Sequence, residues 1–522
     1  MVQITVDQLR GDLPRRLAGR SGESGFRTLT DNGANFVAAH YQHGITETAP
    51  GHATLFTGAN PREHGIIGNE WFDPVSGTKV YNTVDPTEGA PGGEPSPNGR
   101  SPRNLLGSTI GDELVVASGF RSRVFAISVK DRGAILPAGN LGKAFWYQGS
   151  TGRFVTGSYY YPEAEDVPGW LTAWNERDVA GQWRGRSWEL MEPRESYRFG
   201  ALDDRECERS YKHLGRTFPH ALDAERDADF YAALRYTPVG DELVLSLARE
   251  VLVAEELGQG ESTDFLALSF SSTDYVGHAF GPASLEAEDN LRRLDATLAA
   301  LFAEIDRLVG LENTLIALCA DHGAATSPEH LASKGAHLGW VDSIGMVKAT
   351  NEALSQHFGT ERDLVWGHVA PYLWLHRGAI EELGLDLDAV ARVAGEVVQA
   401  TEGMAHGIPR SRIASGALPD GELFERVAAS FHEERSGDVY LVPEPGWLLG
   451  SGNAAAVLTS MHGSPWSYDT HVPILMAGPG VRKGTYADPA APRDIAPTLA
   501  ELLGTASPSA ATGRVLAEAL ER

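Results

Sequence analysis

The chain has 522 residues, longer than one average domain, and 42% of them are hydrophobic, which is ordinary for a globular protein. Its formal net charge of −26 argues against a nucleic-acid-binding surface, but metal ions or a few basic residues would still allow a small anionic substrate. No apolar run reaches the roughly 20 residues of a membrane helix. The two cysteines are too few for a disulfide framework, and Cys319, inside an apolar run, is predicted to be a buried free thiol.

The first predicted element is a short buried strand over residues 2–6, VQITV, which ends at Asp7. Binding sites in open α/β sheets are built at the carboxyl ends of strands, so Asp7 is a candidate site residue. A helix is predicted over 24–33 and another strand over 35–41. Because the first strand follows Met1 directly, the sequence contains no secretory signal, which indicates either a cytoplasmic protein or a removed leader.

Residues 45–69, ITETAPGHATLFTGANPREHGIIGN, contain the candidate nucleophile Thr48. Pro50 and the apolar residues after it predict a helix over 49–57, with Thr48 at its entrance. Free backbone N–H groups and the positive end of the helix dipole favour a phosphate dianion and an alkoxide there. A hydroxyl ionises far above pH 7, so Thr48 needs a metal or a base to attack. Considered alone, Thr48 is more simply interpreted as an ordinary helix N-cap.

Two basic residues, Lys130 and Arg132, follow a strand predicted over 123–129, which comes after a long loop (71–103) and a helix (104–117). They can clamp the non-bridging oxygens of a phosphate, arginine with forked donors and lysine as a point charge. Solvated charges at a strand exit are the alternative. Asn69, in the turn GIIGN, is either a turn residue or a hydrogen-bond donor to a phosphate oxygen.

Residues 139–235 contain many aromatic side chains with little helical periodicity, which favours an inserted cap over the site. A helix over 240–257 and a buried strand over 264–270 come next. Asp274 and His278 are predicted to lie in the loop beyond that strand, SSTDYVGHAFGP.

A long amphipathic helix then leads to a strand over 314–320, which ends in Asp321 and His322. A second insertion, from roughly 331 to 450, is predicted to join the cap or to form a lobe, and His462 comes after it. The strand 471–477 and a helix in PRDIAPTLAELLG end the chain. The predicted division is core 1–138, inserted cap 139–235, core 236–330, second insertion or lobe 331–450, and core 451–522.

The predicted fold is α/β, with a central, mostly parallel sheet flanked by helices and carrying inserted cap regions. Such a sheet would gather six candidate ligands along one edge: Asp7, Asp274, Asp321, His278, His322 and His462. Each alone has a simpler interpretation, since an aspartate at a strand end is usually a turn former or helix cap. Together they exceed what one tetrahedral Zn²⁺ can use, so two metals are the economical interpretation, and two-metal sites suit phosphoryl transfer. Zinc is favoured over Mn²⁺ or Ca²⁺ because half of the ligands are imidazoles.

These motifs together resemble the alkaline phosphatase superfamily, and most closely the phosphate-irrepressible alkaline phosphatases with a threonine nucleophile. The resemblance runs from the first strand to RDIAPTLAELLG and so covers most of the chain. It implies two Zn²⁺ per chain, an in-line attack by Thr48, and a phosphothreonine that is then hydrolysed to release phosphate. It also implies a periplasmic or secreted protein; a monomer is favoured. The implied ligands are Asp274, His278 and His462 for one zinc, and Asp7, Asp321, His322 and Thr48 for the other.

Nucleotide pyrophosphatases and phosphodiesterases are similar around the nucleophile and the metals, so phosphodiesters are the alternative substrates. Lys130 and Arg132 favour monoesters because a monoester carries an additional negative charge. A catalytically silent metal-binding or scaffolding protein on the same fold is a further hypothesis. Sulfatases are disfavoured because their Cys- or Ser-x-Pro-x-Arg signature is not present at the nucleophile.

Overall fold

The computed structural model describes residues 1–17, 22, 24–209, 211, 213–450 and 452–521. Within these residues, nine strands form the main sheet. In order from one edge to the other they are Gly484–Tyr486, Ala34–Phe36, Ile474–Ala477, Ile316–Cys319, Val2–Val6, Phe265–Phe270, Val124–Ser128, Lys143–Gln148 and Arg153–Val155.

The middle of the sheet consists of five neighbouring parallel strands, from Ile316–Cys319 to Lys143–Gln148. The strands Ile474–Ala477 and Arg153–Val155 add to the two sides of this parallel block in the antiparallel direction. Four of the five parallel strands are buried along their whole length, which explains why they read as near-continuous apolar runs in the sequence. The predicted α/β class with a mostly parallel sheet is confirmed.

Helices flank the sheet and share one large hydrophobic core with it. The longest, Leu285–Leu308, buries the leucine seam that its spacing predicts. The helices associated with the main sheet are Leu13–Leu17, Phe26–Asn32, Thr48–Thr57, Pro61–His64, Ile110–Ala117, Asp131–Ala138, Gly169–Glu176, Asp227–Leu234, Val239–Ala254, Ser272–Phe280, Leu285–Leu308, Pro328–Ala332, Ala454–Val457, Ser467–Thr470 and Ile495–Leu503.

A second sheet lies between residues 331 and 450. In the described part of that segment, four antiparallel strands pair in the order Val365–Val369, Tyr372–Leu375, Val439–Pro443 and Met404–Pro409. It has its own apolar cluster. The helices of this segment are Ser343–Phe358, Arg377–Glu382, Leu387–Gln399, Arg410–Ala414 and Glu422–Ser430.

The main sheet extends into the segment 139–235, which was predicted to be an inserted cap. Lys143–Gln148 pairs with the parallel block and Arg153–Val155 pairs with it in turn. The aromatic residues Phe145 and Phe154 of this segment are therefore core residues of the sheet. The later part contains a small hairpin of Arg186–Trp188 and His220–Leu222, and its role as a cap stays a prediction.

Smaller differences concern loops and strand lengths. The strand predicted over 35–41 is limited to Ala34–Phe36, and the long loop 71–103 includes a hairpin of Glu70–Phe72 with Lys79–Tyr81. Cys319 and Cys207 are both buried free thiols. None of the helices in the described part of the chain combines the length and apolar composition needed to cross a membrane.

Candidate active site

Asp7, Lys130 and Asp321 lie at one edge of the main sheet, directly after the carboxyl ends of three parallel strands. The strand register places Val6 opposite Phe270, so the segment that leads to Asp274 begins at the same edge. Asp7 and Asp321 are fully buried and Lys130 is nearly so. The predicted gathering of these side chains at one edge is therefore present.

Asp274 and His278 lie on a helix, Ser272–Phe280, which corrects the prediction that they belong to a loop. Their spacing of four residues puts both side chains on one helix face. His278 Nε2 is 3.1 Å from Asp274 Oδ1, and His462 Nε2 is 3.4 Å from the same oxygen. Asp274 Oδ1 thus contacts both His278 and His462, the two histidines predicted to share a zinc ion with it.

All three candidate imidazoles are oriented in the same way. Each places Nδ1 within hydrogen-bond distance of a backbone carbonyl, which accepts a hydrogen bond from Nδ1–H and leaves Nε2 as the ligand atom. Burial lowers the pKa of His322 to about 3 and also lowers the pKa of His462, which favours their neutral forms. The carbonyl contacts are 2.8 Å from His278 to Ser460, 2.9 Å from His322 to Gly323, and 2.7 Å from His462 to Thr46.

In neutral His322 and His462 the Nε2 lone pair faces a carboxylate oxygen, and His322 Nε2 is 3.5 Å from Asp7 Oδ1. His322 Nε2 and Asp7 Oδ1 have no hydrogen-bond partner among the described residues, whereas Asp7 Oδ2 is paired with Lys130. Burial and the nearby Asp321 carboxylate raise the pKa of Asp7 well above its ordinary value. Facing acceptors that are buried together, such as Asp7 Oδ1 and His322 Nε2, are stabilised by a cation between them.

Two clusters have ligand atoms close enough to share an ion. One is Asp274, His278 and His462, as the resemblance implies, and the other is Asp7, Asp274 and His322. The second differs from the implied set because Asp274 takes the place of Asp321. Asp321 Oδ2 lies 3.7 Å from His322 Nε2, and Asp321 Oδ1 accepts a hydrogen bond from the Gln8 backbone at 3.0 Å.

Thr48 is the first residue of the helix Thr48–Thr57, and the N-cap position belongs to Glu47. The simpler interpretation of Thr48 as an N-cap therefore does not hold. Its side chain is buried, and Lys130 Nζ donates a hydrogen bond to Thr48 Oγ1 at 3.2 Å. The hydroxyl thus lies at a helix N-terminus beside a buried cation, where negative charge on oxygen is stabilised.

Lys130 Nζ also lies 2.7 Å from Asp7 Oδ2 and 2.6 Å from Asp274 Oδ2. Burial lowers the pKa of Lys130, but the two carboxylates outweigh burial and raise the pKa above its ordinary value. Lys130 is therefore a cation at neutral and alkaline pH, and it connects the threonine hydroxyl with both candidate ligand clusters.

Arg132 and Asn69 each keep donors available for a ligand. Arg132 Nη1 donates to the Tyr81 hydroxyl at 3.2 Å, whereas its buried Nε has no partner among the described residues. Asn69 Oδ1 accepts a hydrogen bond from the Ala49 backbone at 3.0 Å, which leaves its amide nitrogen as a donor. These positions suit the predicted contacts with phosphate oxygens.

His52 was not among the sequence-predicted site residues. It is fully buried one helical turn after Thr48, and its Nδ1 is 2.8 Å from the Thr48 carbonyl oxygen and 3.2 Å from Asp321 Oδ2. Its Nε2 is 2.9 Å from Ser269 Oγ. His52 therefore connects the nucleophile helix with a candidate ligand and with a central strand. The four-residue spacing from Thr48 was visible in the sequence, but the partners were not.

Gly51 allows the nucleophile helix to approach the sheet edge. A Cβ atom there would lie 2.1 Å from the backbone oxygen of Asp321, which cannot move freely. We expect Gly51→Ala to lower the free energy of unfolding by about 1–3 kcal/mol, as overpacking does in other cores. Urea unfolding checks this, with Gly169→Ala as the matched control, since a Cβ at Gly169 meets nothing within 4 Å. Equal stability of the two variants would contradict the tight packing at Gly51.

This chain matches the model of one protein family and is similar to known proteins along its whole length. A sequence model of the family described as type I phosphodiesterase / nucleotide pyrophosphatase matches residues 1–465. A protein of Myroides odoratus named calcium-transporting ATPase is 35% identical, and the alignment covers 100% of this chain and 94% of that protein. Alkaline phosphatase PafA of Elizabethkingia meningoseptica is 34% identical, over 100% of this chain and 94% of PafA. The crystal structure of wild-type PafA has a TM-score of 0.92 at 34% identity and covers 100% of this chain and 98% of that one.

Proposed function

Because the chain belongs to the type I phosphodiesterase and nucleotide pyrophosphatase family, we propose that it is a zinc-dependent phosphatase that hydrolyses phosphate monoesters through a phosphothreonine. The full-length similarity to an alkaline phosphatase supports a phosphate-ester hydrolase. The observation that carries the proposal is the convergence of Thr48 Oγ1, Lys130 Nζ and two ligand clusters at one sheet edge. Its substrates would be small phosphate esters, with inorganic phosphate as a product.

The donor set fits two zinc ions. Imidazole nitrogens and carboxylate oxygens are zinc ligands, and each imidazole Nδ1 is already engaged by a carbonyl, as in other zinc sites. We assign Asp274, His278 and His462 to one ion. Asp7, Asp321, His322 and Thr48 are assigned to the other, with Asp274 placed beside it. When bound, the ions would act as Lewis acids that lower the pKa of the threonine hydroxyl and of water.

Thr48 Oγ1 attacks phosphorus in line with the ester bond, the P–O bond breaks, and the alcohol leaves. The threonine is then a phosphate ester, and attack by water on the same phosphorus releases inorganic phosphate and regenerates the hydroxyl. Lys130 stabilises negative charge on Thr48 Oγ1, which lies 3.2 Å from its ammonium group. Arg132 and Asn69 would bind the non-bridging oxygens with the donors that the fold leaves available.

Phosphodiesters are the second candidate substrates, because the family description names phosphodiesterases. A diester has one negative charge and a second organic group, whereas a monoester has up to two charges and a third free oxygen. The buried Lys130 and the half-buried Arg132 match the additional charge of the monoester. A periplasmic or secreted location also stays a prediction, testable by fractionating cells that express the natural gene.

His52→Ala is expected to weaken zinc binding by about 10–100-fold, because residues that orient metal ligands have effects of that size. The physical reason is the loss of the contact with Asp321 Oδ2. Zinc retained during titration with a competing chelator measures the effect. His43→Ala is the matched control, since buried His43 contacts the same helix through Thr54 without contacting a candidate ligand. Equal zinc affinities for the two variants would refute the role of His52.

A further inference from the structure

Arg235 is a cation near the candidate active site, and the proposed reaction does not use it. It lies at the end of the helix Asp227–Leu234 and is half-buried. Its Nη1 donates to the Tyr275 hydroxyl at 3.2 Å, and its Nε lies 3.4 Å from the Ala232 carbonyl oxygen. No carboxylate lies within ion-pair distance of Arg235 in the described parts of the chain. A guanidinium has five N–H donors, so several remain for a ligand.

Tyr275 contacts both Arg235 and Lys130, and Lys130 and Arg132 form the proposed phosphate clamp. The ring of Tyr275 has Lys130 Nζ 5.0 Å from its centroid and the Arg235 guanidinium carbon 5.1 Å from it. Tyr275 also follows Asp274 directly on the same helix. Arg235 and Lys130 therefore both lie about 5 Å from the centre of the same aromatic ring. Two cations held this closely, one without an acidic partner, favour binding of a second negative charge.

Arg132 of the clamp also donates a hydrogen bond to a tyrosine hydroxyl. Arg132 Nη1 donates to the hydroxyl of Tyr81 at 3.2 Å, as Arg235 Nη1 does to the hydroxyl of Tyr275. In both cases a tyrosine orients the guanidinium without neutralising it, which leaves its charge available for an anion. A carboxylate partner would satisfy that charge internally, as happens for many surface arginines of this acidic chain.

We propose that Arg235 is a specificity residue that binds a negative group on the leaving-group side of the substrate. The inference rests on the proposed phosphomonoesterase function and narrows its substrate class. Preferred substrates are phosphate monoesters whose alcohol carries a further phosphate or carboxylate. Aromatic side chains surround Arg235, and Tyr236 packs on Tyr275 with ring centroids 4.8 Å apart.

The test compares phenyl phosphate with 4-carboxyphenyl phosphate, which differ by one negative charge. For each substrate, kcat and KM are measured in the wild-type protein and in Arg235→Gln. We expect about a tenfold loss of kcat/KM for the carboxylated substrate, mainly through KM, and less than about a threefold loss for phenyl phosphate. Arg235→Lys should retain part of the discrimination because it keeps the charge. Arg177→Gln, which removes a surface arginine paired with Glu250, is the control.

The possible outcomes separate this proposal from the one on which it rests. Equal losses for both substrates would show that Arg235 acts through Tyr275 and Lys130 as a positioning residue, and they would overturn the specificity role. Unchanged kinetics with both substrates would overturn it as well. If the wild-type protein hydrolyses neither substrate, the phosphomonoesterase function itself fails. Thermal unfolding of Arg235→Gln and Arg235→Lys distinguishes a loss of folding from a loss of binding.

Discussion

Thr48→Ala is expected to lower kcat/KM for p-nitrophenyl phosphate at alkaline pH by at least about a thousandfold, as removal of a nucleophile does in other enzymes. Thr48 is the first residue of its helix, and its Oγ1 lies next to Lys130 Nζ. Alanine leaves no oxygen there to form the phosphoenzyme. Steady-state hydrolysis measures the loss. Acid quenching followed by phosphoamino acid analysis of the wild-type protein is expected to yield phosphothreonine.

Thr48→Ser is the matched control for this experiment, because serine retains a hydroxyl on the same backbone. It is expected to keep measurable turnover and to form phosphoserine instead of phosphothreonine. Activity that is unchanged in Thr48→Ala would refute the assignment of the nucleophile. The retained fold of each variant is checked by thermal unfolding, since the Thr48 side chain is buried.

The double variant Lys130→Ala/Arg132→Ala is expected to lower kcat/KM for p-nitrophenyl phosphate by roughly 100–10,000-fold, because each charge stabilises the transition state in a buried site. The loss for bis(p-nitrophenyl) phosphate, a diester with one charge less, is expected to stay below about tenfold. Both rates are measured with the same protein preparations. This comparison separates the two candidate substrate classes.

Arg132→Ala alone is the control, because Lys130 contacts Asp7 and Asp274 and its removal also leaves those carboxylates without their cation. Arg132 donates to Tyr81 and forms no described contact with a candidate ligand. A loss confined to monoesters in Arg132→Ala supports the clamp. Equal losses for monoester and diester would contradict the preference of the clamp for monoesters.

The parts of the site that lie at strand ends could be predicted from the sequence. Asp7, Lys130 and Asp321 each follow an apolar run, and buried parallel strands are the elements that such runs encode. Because parallel strands share one carboxyl edge, their order in the chain was not needed to bring these residues together. The nucleophile helix was predictable for a similar reason, since Pro50 and the residues after it are local signals.

The helix that bears Asp274 and His278 could not be predicted in this way. Its first residues are polar and lack a clear helical period. Distant Asp241, whose Oδ1 accepts a hydrogen bond from the Ser272 backbone at 3.0 Å, supports the helix start. That contact comes from another helix, Val239–Ala254, so no local signal records it. Long-range pairing likewise decides that Lys143–Gln148 belongs to the main sheet and not to an insertion.

Partners distant in the chain also explain why His52 was missed. The four-residue spacing from Thr48 indicates a shared helix face, but the meaning of that face depends on Asp321 and Ser269, which lie far away in the sequence. Asp321 follows a predicted strand, and its role as a metal ligand stays a prediction. The structure groups ligand atoms of Asp274 with those of Asp7 and His322, and Asp321 Oδ2 lies 3.7 Å from His322 Nε2.

The proposed active site holds two zinc ions beside Thr48 Oγ1, one in each ligand cluster. Anomalous diffraction at the zinc absorption edge, from crystals grown with zinc and vanadate, tests it directly. The expected result is two anomalous peaks, one between Asp274, His278 and His462 and the other beside Asp7 and His322, with vanadium bonded to Thr48 Oγ1. The absence of a pair of peaks at these residues, or vanadate bound away from Thr48, would contradict the claim.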